Sequence, residues 1–308
     1  MKPEEYSFSR YLSAKKSVDD RSLNREVWER LTASLPPTSS KSPLRILEVG
    51  AGIGTMAARL LERGLARHVR YTGVDNQAEN TRTAPRDLEA WAQERGMPVR
   101  RSAGLLSLGA EPQAFQATFV LEDLSAFIAR ERGSHRWDLV LAHAFLDLVD
   151  VPAVLPGLFS LLSPGGLFLF SVNFDGLTIL EPTLDPLLDE QVMALYHRTM
   201  DERMQGDVRS GDSRTGRHMF HHLANAGAEI MAAGASDWVV YPGPQGYPDD
   251  EAYFLHFIIH TIHLALAGHA ELDAARFAAW IEDRHSQIER RELVYIAHQL
   301  DFLGRLSA

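Results

Sequence analysis

The run Leu47-Glu48-Val49-Gly50-Ala51-Gly52-Ile53-Gly54-Thr55 holds the residue types that most directly suggest chemistry. Glycines at alternate positions after an apolar run let the backbone turn sharply and come close to a ligand. A helix opening near Thr55 would present unpaired N–H groups to the same ligand. Gly52-x-Gly54-x-x-Ala57 also satisfies the looser dinucleotide fingerprint, so the glycines alone leave two ligand classes open. Glu48 helps to separate them. A carboxylate just before the first glycine opposes a pyrophosphate and suits a ligand that carries positive charge; the bland alternative is a simple strand-end residue. Asp75, at the end of the next strand, can accept from both hydroxyls of a ribose, with Asn76 beside it as a further contact, or be a solvated turn aspartate. In Glu122-Asp123-Leu124, Asp123 can accept from an adenine amino group.

Three further groups qualify. Leu141-Ala142-His143-Ala144-Phe145-Leu146-Asp147 closes another strand, where His143 is a candidate general base or a hydrogen-bonding histidine beneath a ligand, and Asp147 a candidate acceptor contact. Tyr11, Lys15 and Arg21, in a segment able to fold over the site, can reach a carboxylate or an acidic substrate, or sit on an ordinary exposed helix. His256, His260 and His263 fall at i, i+4 and i+7, hence on one helix face. One helix rarely supplies a complete metal site and no Glu stands in an HExxH arrangement, while the apolar Phe257, Ile258, Ile259 and Ile262 between them predict a largely buried helix. His256 and His260 are expected as a polar wall of the acceptor pocket, on a helix serving as a lid, or as packing histidines.

The elements that must position these residues follow from periodicity. Residues 22–33 have helical spacing and precede a Pro/Ser-rich connector, 34–43. From Leu44 to about Asp175 the pattern is strand, turn, helix, repeated: LRILEV (44–49), YTGV (71–74), ATFVLE (117–122), WDLVLA (137–142) and GLFLFSVN (166–173). That alternation predicts a parallel sheet wrapped by helices. Residues 95–116 look like an insertion. Beyond Asp175, helices are expected at 185–204, 215–226, 250–267 and 271–287, with strands at 228–242, broken near Gly234, and 292–303.

ILEVGAGIG, GVD, FVLEDL, WDLVLAHAFLDLVD and LLSPGGLFLFSV, in this order over residues 44–173, resemble the motifs of class I S-adenosylmethionine-dependent methyltransferases. The resemblance implies an α/β, Rossmann-like, seven-stranded, mostly parallel sheet with helices on both faces and an antiparallel last strand. To this are added an N-terminal helical segment (1–43) and helical additions within the methyltransferase domain (44–308), at about 185–204 and 250–287. It implies S-adenosylmethionine across the C-terminal strand ends: the methionine part against Glu48, Gly50, Ala51, Gly52 and Gly54, the ribose on Asp75, the adenine beside Asp123 and Leu124, and His143 close by. The long stretch between Asp75 and Glu122 departs from the family pattern. The Asn/Asp-Pro-Pro-aromatic tetrad typical of amide- and nucleobase-N methyltransferases is missing after the fourth strand, which favours a small-molecule acceptor.

Composition narrows the field. With no cysteine, disulfides, thiolate zinc sites, cysteine-bound iron–sulfur clusters and cysteine nucleophiles are excluded. A net charge of −10 disfavours nucleic acid, although residues 1–45 are locally basic. No apolar run is long enough to span a bilayer and no secretion signal opens the chain, so a cytoplasmic protein is expected, with self-association left open. Two alternatives to a methyltransferase are an NAD(P)-dependent oxidoreductase using the Gly52–Ala57 match, and a methyltransferase-like protein that binds cofactor or a partner without turnover.

Overall fold

The computed structural model describes residues 3–111, 113–133 and 137–306. Three short helices open the chain: α1 (Phe8–Ala14), α2 (Lys16–Ser22) and α3 (Arg25–Ser34). Then come β1 (Leu44–Val49), α4 (Thr55–Glu62), β2 (His68–Asp75), α5 (Ala78–Glu94), β3 (Val99–Ser102), β4 (Leu105–Ala110), β5 (Gln113–Leu121), α6 (Leu124–Glu131), β6 (Trp137–His143), α7 (Val151–Phe159) and β7 (Leu162–Glu181). The C-terminal part holds α8 (Pro186–Asp201), β8 (Met204–Gln205), β9 (Val208–Arg209), α9 (Thr215–Asn225), β10 (Ala228–Ala235), β11 (Trp238–Val240), α10 (Glu251–Leu266), α11 (Ala274–Glu289) and β12 (Val294–Leu306).

Among the described residues the main sheet has ten strands in the order β10-β12-β7-β6-β1-β2-β5-β4-β3, with β11 beside β12. β1 pairs in parallel with β2 and β6, β2 with β5, and β6 with β7, whereas β12 runs antiparallel between β7 and β10. The expected sheet with its antiparallel last strand is therefore present. The strand count is the correction. The stretch expected as an insertion, 95–116, supplies β3 and β4, an antiparallel hairpin that extends the sheet beyond β5. The long gap between Asp75 and Glu122 is thereby explained: the extra residues lengthen the sheet edge and leave the adjacent strand ends in place.

Strand alternation builds the two layers. Ile46, Leu139, Leu141, Leu167 and Leu169 face one core with α4, α5, α8, α10 and α11. Leu47, Val49, Val140, Ala142, Phe168 and Phe170 face the other with α6, α7 and α9. Both faces are covered, so the central strands read as nearly unbroken apolar runs. No described helix is long and apolar enough to cross a membrane.

The N-terminal helices are held over the sheet by specific bonds. Asp301 in β12 accepts from Asn24 N through one oxygen (2.8 Å) and from Val172 N through the other (2.7 Å). The latter bond holds Val172 at φ +58°, a left-handed conformation that a β-branched residue rarely adopts. It marks where β7 turns from pairing with β6 to pairing with β12 alone. The buried Glu251 of α10 takes Ser17 Oγ (2.7 Å) and the Arg21 guanidinium, fixing α2 from its other side.

Candidate active site

A cavity of about 920 Å³ opens at the C-terminal ends of β1, β2, β5 and β6, where open α/β sheets bind ligands. Glu48, Gly50, Ala51 and Gly52 line it from the turn after β1, and Asp75 and Asn76 from the end of β2. Asp123 and Leu124 line it after β5, and His143 from the end of β6. Of the residues expected around a cofactor, only Gly54 stands outside the lining. A side chain there would crowd Phe119 and Ala84, so this glycine serves packing.

The remaining glycines of the turn differ in what they permit. Gly50 has φ +66°, and a Cβ on it would lie 2.2 Å from the Phe145 ring. Its missing side chain makes room for a protein group. At Gly52, with φ +52°, the nearest atom to such a Cβ is Leu12 Cδ1 in α1, at 3.3 Å. Gly52 thus leaves backbone open to the cavity beneath the N-terminal roof. Asp75 fastens this turn to β2: Oδ2 accepts from Gly52 N (2.9 Å), while Oδ1 accepts from Gln77 N (2.8 Å) and Asn80 Nδ2 (3.1 Å). An ionised carboxylate has about four acceptor positions, so capacity remains for a ligand hydroxyl. Asp123 caps α6, its Oδ1 accepting from Ser125 N (2.8 Å) and Ala126 N (3.3 Å).

Glu48 is buried and accepts a hydrogen bond from the Tyr71 hydroxyl. Burial raises its pKa to about 8, against the opposing pull of Tyr71 and Arg59. The site therefore holds a carboxyl that is protonated near neutrality until a cation approaches it.

His143 is also buried, and both its ring nitrogens are engaged: Nδ1 with Ser171 Oγ (2.8 Å) and Nε2 with Asp19 Oδ2 (3.0 Å). Burial pushes its pKa down to about 4 despite the carboxylate beside it. Neutral His143 must donate Nε2–H to Asp19 and accept at Nδ1 from Ser171, which leaves no nitrogen to take a proton from a ligand. Asp19, fully buried in α2, also accepts from Trp238 Nε1 (2.9 Å) and pairs with Lys15 Nζ (3.1 Å) and Arg59 Nη2 (3.9 Å). Burial alone would raise the Asp19 carboxyl, but Lys15, His143 and Arg59 together hold it well below the usual range.

The other expected contacts are placed elsewhere. Of Tyr11, Lys15 and Arg21, only Lys15 lines the cavity. Tyr11 stacks on Phe257 (ring centroids 4.3 Å apart), and Arg21 bonds Glu251 and Val239 O (3.1 Å). Asp147 lies behind the cavity wall. Burial raises its pKa, and its Oδ1 has no hydrogen-bond partner among the described residues. His256 and His260 are not at the cavity, because α10 packs between α11, α8 and α1 and does not cover the opening. The buried His256 places Nδ1 2.9 Å from His285 Nδ1, and His260 stacks on Tyr6 at 3.9 Å. The histidine stripe that suggests a lid instead meets His285 and Tyr6, and the apolar residues of the helix bury it as expected.

Sequence reading missed the opposite wall. Arg203, Met204, Arg209 and Ser210 reach the cavity from the β8–β9 hairpin, and Phe8 and Leu12 from α1. The one signal was Gly206-Asp207, a turn dipeptide between strands too short to show alternation.

A family model described as a methyltransferase domain matches residues 21–227. Among curated proteins, none matches the chain. Solved structures do. One, from Anaeromyxobacter dehalogenans and described as a type II methyltransferase, is 16% identical, with 93% of this chain and 98% of that one covered and a TM-score of 0.51. Another is the cyclopropane synthase MmaA2 of Mycobacterium tuberculosis, at 11% identity, 98% and 99% coverage and a TM-score of 0.45. A third, phosphoethanolamine N-methyltransferase 2 of Haemonchus contortus with phosphomonomethylethanolamine and S-adenosylhomocysteine, is 14% identical, with 99% and 61% covered and a TM-score of 0.43. At these identities the likeness is one of fold. The motif order, the sheet topology and the family match over most of the chain agree: it belongs to the methyltransferase-domain family, as a class I member whose cofactor is S-adenosylmethionine.

Proposed function

We propose that this chain transfers a methyl group from S-adenosylmethionine to an O, N or C atom of a small molecule. The observation that carries this reading is the cavity itself. One continuous space of about 920 Å³ runs from the acidic strand ends at Asp75 and Asp123 to the hairpin wall at Arg203 and Ser210. Small-molecule sites are commonly about 300–1,000 Å³, so a cavity at the top of that range suits two ligands side by side.

The donor set fits the cofactor. Glu48 offers a buried carboxylate to its ammonium, the open backbone at Gly52 lets it approach, Asp75 and Asn76 receive the ribose hydroxyls, and Asp123 and Leu124 flank the adenine. Lys15, the cation lining the cavity from the N-terminal roof, is assigned to a carboxylate. When bound, S-adenosylmethionine supplies an electrophilic methyl group on a sulfonium that becomes a neutral thioether as the methyl leaves. The protein's part is to align the acceptor with that methyl and to exclude water, effects that together contribute up to ~7–11 kcal/mol. α1 forms the roof with Lys15 at its C-terminal end, and Phe145, Leu148 and Val154 give the acceptor side apolar walls. His143 is assigned to positioning: it joins Asp19 of α2 to Ser171 of the sheet.

The test is to incubate the chain with methyl-labelled S-adenosylmethionine and panels of small metabolites, and to identify products by mass. One acceptor class is expected to gain the label. With that acceptor, His143→Gln should lower kcat by less than about ten-fold and keep the pH profile, because removing a general base would cost about 10²–10⁴-fold and erase its limb. Labelling of macromolecules alone, or of no acceptor by folded, cofactor-bound protein, would overturn the proposal.

A further inference from the structure

A second cluster of ligating side chains stands outside the cavity, at the start of α9. Asp212, His218 and His222 each offer one ligand atom, and these atoms all lie within 4.8 Å of one another. The local sequence explains the convergence. His218 and His222 are at i and i+4, one above the other on a single helix face. Asp212 belongs to the turn that starts the helix: its carbonyl accepts from Thr215 Oγ1 (2.7 Å), and its Oδ1 accepts from Arg214 N (2.9 Å). That second bond fixes the carboxylate and directs Oδ2 to His218 Nδ1, 2.5 Å away.

The nearby cation on this helix is occupied elsewhere. The Arg217 guanidinium is bonded to Asp175, through Nε to Oδ1 and through Nη2 to the carbonyl, both at 2.9 Å. His221 bonds Asn225 Nδ2 (2.8 Å) and takes no part. His222 is half-buried, and its ring meets that of His218 edge-on with centroids 6.2 Å apart. An ion pair accounts for His218 and Asp212 but not for the second imidazole, since only His218 is bonded to Asp212.

We propose that Asp212, His218 and His222 bind one divalent transition-metal ion of the zinc class. Two nitrogen donors and one oxygen suit zinc, cobalt or nickel better than calcium or magnesium, which take oxygen sets. Three protein ligands leave coordination positions to water. The position gives the ion a consequence for the cavity. Asp212 follows Ser210 and Gly211, and Ser210 and Asp150 both line the cavity wall. A metal there would tie the turn carrying Ser210 to the first two turns of α9 and stiffen that wall.

The experiment uses the untagged full-length chain, stripped with a chelator and titrated with zinc alone, then with cobalt, whose visible spectrum reports the donor set. Saturation at one equivalent is expected. His218→Ala and His222→Ala should each weaken binding by about ten-fold or more, the scale seen even for loss of a ligand's supporting partner. His221→Ala, on the same helix, should leave it unchanged. All three positions are at least partly exposed, and circular dichroism of the metal-free variants would verify the fold. No saturable equivalent in the wild-type chain, or undiminished binding in the His218→Ala/His222→Ala double variant, would overturn the proposal.

Discussion

Asp19→Ala is expected to cost about 3–5 kcal/mol of folding stability, the usual range when one partner of a buried ion pair is removed. The loss has identifiable origins. Asp19 is fully buried and receives Trp238 Nε1, His143 Nε2, Lys15 and, at longer range, Arg59. Its removal leaves Lys15 buried without its charge partner and two ring N–H donors unsatisfied. Asp19→Asn, which keeps the shape but not the charge, should lose less. Denaturant unfolding would measure both, and a loss below about 1 kcal/mol for the alanine variant would mean that water replaces the carboxylate. The sign of the pH dependence follows. Asp19 and His143 both have folded pKa values below their ordinary ones. The contribution of His143 is therefore full above about pH 6.5 and lost as pH falls through about 4, whereas that of Asp19 is full above about 3.8 and lost only at more acidic pH, because in each range the unfolded chain binds the extra proton.

This hub also shows where sequence reading stops. The strand ends were legible because β1, β2 and β6 announce themselves by apolar runs that terminate in Gly50, Asp75 and His143. Their alternation with helices predicts a parallel sheet, while the antiparallel last strand is what the resemblance to class I methyltransferases implies. Nothing in the spacing of Lys15, Asp19, His143 and Trp238 reveals that they meet, since their contact depends on α2 docking across the sheet. The same limit explains α10. A histidine stripe at helical spacing looks alike whether it faces a ligand, a Tyr6 ring or another buried histidine. The metal-spaced pair on α9 was hidden for the opposite reason: its third donor, Asp212, lies in a turn and has no periodicity.

The second large effect is expected at Glu48. Between about pH 6 and 7.5 the affinity for S-adenosylmethionine should rise by up to about ten-fold per pH unit, roughly thirty-fold in all. In the free protein Glu48 holds its proton up to about pH 8. A cationic ligand group beside it favours the ionised form, so binding releases that proton and higher pH promotes the complex. Stability of the free chain moves the other way. A folded pKa above the unfolded value gives a contribution present below about 4.5 and lost as pH rises through about 8. Calorimetry in buffers of different ionisation enthalpy would count the released proton directly. Glu48→Gln should bind more weakly and lose the slope. A pH-independent affinity in the wild-type chain would remove Glu48 from contact with the cofactor's positive charge.

The most direct test of the account is a calorimetric titration of the folded chain with S-adenosylhomocysteine, with NAD as the comparison ligand. The predicted result is saturation at one molecule per chain with S-adenosylhomocysteine, a matching rise in melting temperature, and no saturable heat with NAD. In Asp75→Ala the same titration should be weaker by about 1–3 kcal/mol, the scale for losing hydrogen bonds to a charged partner. Saturable binding of NAD in place of S-adenosylhomocysteine, or no S-adenosylhomocysteine binding by the folded chain, would contradict the assignment of the cavity at Glu48, Gly52 and Asp75.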